Sequence, residues 1–118
     1  MPSTIIKPKP KEDFYVVWST VVDAATYWGT RAELEAEYRD GTPERFARAD
    51  QHGTSALWGS RAYGWVQSNR TLMLGEDVDH REGHFAILNI DDLREWCESY
   101  RNGKFTAVHL ITWKDWNQ

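Results

Sequence analysis

The stretch from His84 to Trp113 constrains the fold more than any other, because its apolar period changes twice. From His84 to Ile90, Phe85, Ile87 and Asn89 alternate with Ala86, Leu88 and Ile90. That is the two-residue period of a strand that is mostly apolar on both sides. Leu93, Trp96, Cys97 and Tyr100 then fall on one helical stripe. Asp92 and Glu95 have the spacing of a capping box, and Asn102-Gly103 offers a stop. Phe105, Ala107, His109, Ile111 and Trp113 alternate with Thr106, Val108, Leu110 and Thr112, which predicts a second strand. Strand, helix and strand with tight connections imply a βαβ unit whose strands are parallel.

The preceding elements are shorter. Asp13 to Val22 alternates apolar residues on both faces and predicts a central strand. Thr30 and Glu33 form a capping box for a helix from Arg31 to Asp40, stopped by Gly41. Thr42 and Pro43 start a second helix that runs to Gln51, with Gly53 at its end. A short strand is expected at Tyr63 to Gln67. Another at Thr71 to Gly75 pairs with the strand at His84 as a hairpin around an acidic loop. Residues 1–11, with Lys7, Lys9 and Lys11 between prolines, read as a flexible Lys/Pro tail. The fold class expected for residues 12–118 is a single compact α+β domain. It would hold a mixed sheet of about four to five strands, a C-terminal βαβ unit and two short helices, with a central pair of strands from Phe14–Val22 and Phe105–Trp113.

Charge narrows the partners. The chain of 118 residues carries −4 overall, but without the three tail lysines 11 basic residues face 18 acidic ones, a charge of −7. A nucleic-acid-binding domain normally presents a basic face, so nucleic acid is not the expected partner. The acidic body leaves nucleic-acid mimicry as an alternative. A single cysteine, Cys97, and the lack of an apolar leader or membrane span lead to a cytoplasmic reading.

No catalytic or cofactor motif is complete. The loop Gly75 to His84 is dense in Asp, Glu and His, but Arg81 and Glu82 stand where a calcium loop needs other residues. The His80-Arg81-Glu82 triplet lacks the paired cysteines of a zinc deaminase. No metal or cofactor is therefore expected. Cys97, on the apolar helical stripe, reads as a structural thiol. Seven tryptophans are the unusual feature, and aromatic side chains dominate binding hot spots. Trp28, Trp58, Tyr63 and Trp65 lie in loop-like segments and form the expected binding surface. The enzymatic alternative is a small hydrolase or transferase built on His84, His109, Asp77 and Asp79.

The opening DFYVVWSTVVDAATYWGTRAEL, with the later RFARADQHGTS, resembles small uncharacterised proteins of actinobacteria and their bacteriophages. The resemblance covers roughly the first half of the chain and carries over no catalytic residue. It implies a small cytoplasmic accessory protein that binds and modulates a host protein. A homodimer through the same aromatic surface is a variant of this reading.

Overall fold

The computed structural model describes residues 3–57, 63–67 and 70–116. The first sheet joins β1 (Ser3–Ile6), β2 (Tyr15–Ser19) and β3 (Ala24–Gly29), with β2 in the middle and both pairings antiparallel. Alternation along these strands sends side chains to opposite faces. Ile5, Tyr15 and Val17 join Leu34, Tyr38, Phe46 and Ala49 in one apolar cluster. Ile6, Val16 and Trp18 join a larger cluster with Leu72, Leu88 and Trp96. The sheet is therefore a middle layer, which is why β2 is apolar on both sides.

Helices α1 (Arg31–Glu37) and α2 (Pro43–His52) cover the first face. Thr30 and Glu33 form the expected capping box, and Thr42 accepts a hydrogen bond from the Arg45 amide ahead of Pro43. Helix α1 stops at Glu37, short of the expected Asp40. Gly53 ends α2 with φ of 84°, a left-handed conformation that glycine adopts at little cost. Asp50 ties the layers together: it accepts a hydrogen bond from the Tyr15 hydroxyl and pairs with Lys7 at 3.0 Å and Arg31 at 3.4 Å. Burial raises the Asp50 pKa, but the hydrogen bonds from Tyr15 and Lys7 and the charges of Lys7 and Arg31 outweigh it. The carboxyl is held below its ordinary range.

The other face is covered by a second antiparallel sheet, β4 (Thr71–Leu74), β5 (His84–Asn89) and β8 (Thr112–Asp115), with helix α3 (Leu93–Glu98) beside it. Between α3 and β8 lie a two-residue-stranded hairpin, β6 (Tyr100–Arg101) and β7 (Lys104–Phe105), and a 3₁₀ turn at Val108–Leu110. The Cα radius of gyration, 13.9 Å, is close to the roughly 13.5 Å expected for one domain of this length.

The fold is α+β, and six details differ from the sequence reading. Ser3–Ile6 is not a tail: it is β1, with Ile5 and Ile6 fully buried, because those two apolar residues outweigh the Lys/Pro run that follows. The sheets are three separate antiparallel ones, not one mixed sheet, and β2 and β8 lie in different sheets. The βαβ unit is absent, since β5 and β8 pair antiparallel. The alternation from Phe105 to Trp113 is broken by the 3₁₀ turn, and Asn102-Gly103, both at positive φ, close a tight hairpin rather than cap a helix. Asp92 makes no side-chain cap; Asn89 instead accepts from the Asp91 amide at a preceding 3₁₀ turn, Ile90–Asp92. The strand expected at Tyr63 to Gln67 is a turn, with Tyr63 at φ of 77°.

Candidate functional site

The acidic loop after β4 is clamped where the two sheets meet. The Gly75 amide donates to Asp23 O at 2.9 Å, and the Glu76 amide donates to Val22 O at 3.0 Å. The approach is close: a Cβ on Gly75 would lie 2.5 Å from Val22 O. The Ala25 amide then donates to Asp77 Oδ2 at 3.3 Å. Further along, the His84 amide donates to Arg81 O at 3.0 Å and the Trp116 amide to Gly83 O at 3.0 Å. The loop is thus held at both ends, to the β2–β3 turn and to β8.

Between this loop and the segment from Gly103 to Trp113 lies a cavity of about 710 Å³. That is the size range of sites for small molecules or a few residues of a peptide. Phe105, Ile111 and Trp113 supply apolar wall, and Val108, 63% exposed, sits at the opening side of the same lining. Phe105 is fixed by other rings: it stacks on Trp96 with centroids 5.0 Å apart, and Tyr100 and Trp28 pack on it at 4.8 and 5.4 Å. The Arg81 guanidinium lies over the Trp113 ring, 4.2 Å from its centroid. Neither Arg81 nor Lys104 has an ion-pair partner among the described residues.

Two polar groups of residues around the cavity are poorly compensated. Trp96 is fully buried, and its Nε1–H has no hydrogen-bond acceptor among the described residues. Asp77 is half-buried with no cation paired to it among the described residues. Burial pushes its carboxyl up to about 6; the Ala25 hydrogen bond pulls it down, and the charge of Glu76 raises it further. The Asp77 charge also adds to the burial that pushes the neighbouring Cys97 thiol well above its ordinary range. Cys97 is fully buried, as its place on the α3 stripe implies.

The residues singled out from sequence are dispersed. Asp77 and Asp79 line the large cavity, whereas His84 lines a second one of about 400 Å³ beside Met73, Phe85 and Trp116. His109 faces outward, its Nε2 3.4 Å from Glu95 Oε2. These four groups do not share one cavity. Among the described residues no three His, Cys, Asp or Glu side chains converge to hold a metal ion. Of the aromatic set, Trp28 backs the cavity through Phe105, and Tyr63 packs partly buried against the larger apolar cluster. Trp65 packs against Gly53 and donates from Nε1 to Lys7 O at 3.0 Å, tying the N-terminal segment to the end of α2. Trp58 lies outside the described residues.

Sequence reasoning did not select His80, Arg81, Lys104, Trp96 or Trp113 as site residues. His80, Arg81 and Trp113 stand in the wall shared by both cavities. The available signal was the Arg81-containing loop lying next in space to β8, which follows only from the antiparallel pairing of β5 with β8. No helix is long and apolar enough to cross a membrane among the described residues. Comparison with known proteins finds no family model, no curated protein and no solved structure that matches the chain.

Proposed function

We propose that this chain is a non-enzymatic protein-binding module, a small cytoplasmic accessory protein of phage type that binds and modulates a host protein. Its contact site is the large cavity, which receives a short segment of the partner. One observation carries this reading: apolar rings and two cations without an ion-pair partner among the described residues, Arg81 and Lys104, line the same concave wall. Aromatic residues and arginine are the side chains that dominate protein interfaces. The catalytic alternative is weaker because His84 and His109 sit apart from Asp77 and Asp79.

The test is affinity capture from an actinobacterial host extract with three baits: the wild type, an Arg81→Ala/Lys104→Ala double variant and Glu44→Ala. All three changes lie at exposed positions, so the folds should persist. The expected result is one protein enriched by the wild type and Glu44→Ala and lost with the double variant, with direct binding then reproduced from purified components. Equal capture by all three baits would remove the cavity as the contact site.

A further inference from the structure

We propose that the partner segment docks as an extended strand, antiparallel to β8 along its outer edge. An acidic residue of that segment lies beside Lys114, and an apolar one lies over the large cavity. The inference rests on the reading of this cavity as the contact site and adds the conformation and chemistry of what occupies it.

The second sheet runs β4-β5-β8, so β8 has a strand on one side only. The ladder fixes where its backbone groups point. The Trp116 amide donates to Gly83 O, in the same register that pairs Lys114 with Phe85 and Thr112 with Ile87. Hydrogen-bonded positions alternate along an antiparallel pair. Thr112 and Lys114 therefore turn their N–H and C=O toward β5, and Trp113 turns its own to the outer edge. The large cavity lies on that side: its lining takes Trp113 from this sheet and no residue of β4 or β5. The Trp113 side chain is on the inner face, since it pairs with buried Ala86. Thr112 and Lys114 are exposed on the outer face. A strand added here sends alternate side chains over the cavity and to the outer face. The residue opposite Trp113 meets the apolar wall of Phe105, Ile111 and Trp113. The residue opposite Lys114 meets an ammonium group with no ion-pair partner among the described residues, which favours a carboxylate. The same charge disfavours a second copy, because β8 laid against its own copy about Lys114 sets two ammonium groups opposite each other.

Capped seven-residue peptides test the assignment. The reference is Ser-Thr-Leu-Glu-Leu-Thr-Ser, and one variant has lysine in place of the glutamate. Two others carry backbone N-methyl groups, on both leucines or on the glutamate. Each is titrated into ¹⁵N-labelled full-length protein while the Trp113 backbone amide is followed. The reference is expected to shift that amide saturably, with a dissociation constant on the order of 0.1–1 mM for so short a segment. The lysine peptide should bind at least about fivefold more weakly, as an opposite charge gives way to a like one. With glutamate opposite Lys114, the leucine N–H groups face β8 and the glutamate N–H faces away. N-methylation of the leucines should abolish the shift, and N-methylation of the glutamate should leave it in place. Lys114→Glu, at an exposed position, should reverse the preference between the glutamate and lysine peptides. No saturable shift from the reference, equal binding of the two charged peptides, or equal effects of the two N-methylations overturns strand addition. A Trp113 amide already protected from exchange without peptide, in a protein whose sedimentation coefficient rises with concentration, assigns the edge to a second copy and also overturns it. Failure of the reference peptide with continued loss of the captured partner in Arg81→Ala/Lys104→Ala rejects the strand alone and leaves the contact site standing.

Discussion

Asp77 stores its information in its protonation. Its folded-state pKa of about 6 lies above the ordinary 3.8, so between those values the folded chain binds more protons than the unfolded one. Stability from this group therefore falls as pH rises from about 4 to about 6 and stays lower above that. Asp77→Asn keeps an acceptor for the Ala25 amide and removes the titration. The melting temperature of Asp77→Asn relative to wild type should rise from pH 4 to pH 7; a flat difference contradicts the raised pKa. Gly53 carries a second kind of residue-level constraint. Its φ of 84° and the Trp65 ring, 2.6 Å from where a Cβ would stand, both oppose a side chain. Gly53→Ala should cost roughly 1–3 kcal/mol in urea unfolding.

Elements whose cause is local were legible in the amino-acid order. The Thr30/Glu33 box, the Thr42-Pro43 start and the Gly53 stop each need only neighbours within four residues, and all three appear. Elements decided by distant partners were not. Ile5 and Ile6 become a strand only because β2 and the Thr54 bridge lie beside them. Val108, His109 and Leu110 keep a strand-like alternation but have no neighbouring strand to pair with, and they turn. The site was hidden for the same reason: Trp96 sits on a helix stripe that reads as core, and nothing local shows that its N–H finds no acceptor among the described residues. The status of β1 is testable as an element. Ile6→Ala should cost about 2–4 kcal/mol, the range for a fully buried aliphatic residue, and removal of residues 1–6 should abolish cooperative unfolding. A truncated chain with unchanged stability would contradict a structural β1.

At the scale of the whole molecule, the first sheet joins two apolar clusters that do not otherwise belong together. Loss of packing on one face should therefore reach the other. Phe46→Ala, in the cluster under α1 and α2, should cost about 3–5 kcal/mol. It should also lower hydrogen-exchange protection of β5 amides across the sheet by a comparable free energy. Unchanged β5 protection would mean that the two clusters open independently.

The middle layer also sets an order in time. The strands of the first sheet and its covering helices all lie within residues 3–57. The cavity walls come from residues 76–113, with Trp113 furthest along the chain. During synthesis these strands and helices leave the ribosome while the cavity does not yet exist. A nascent chain would acquire the proposed contact cavity only after Trp113 had cleared the ribosome.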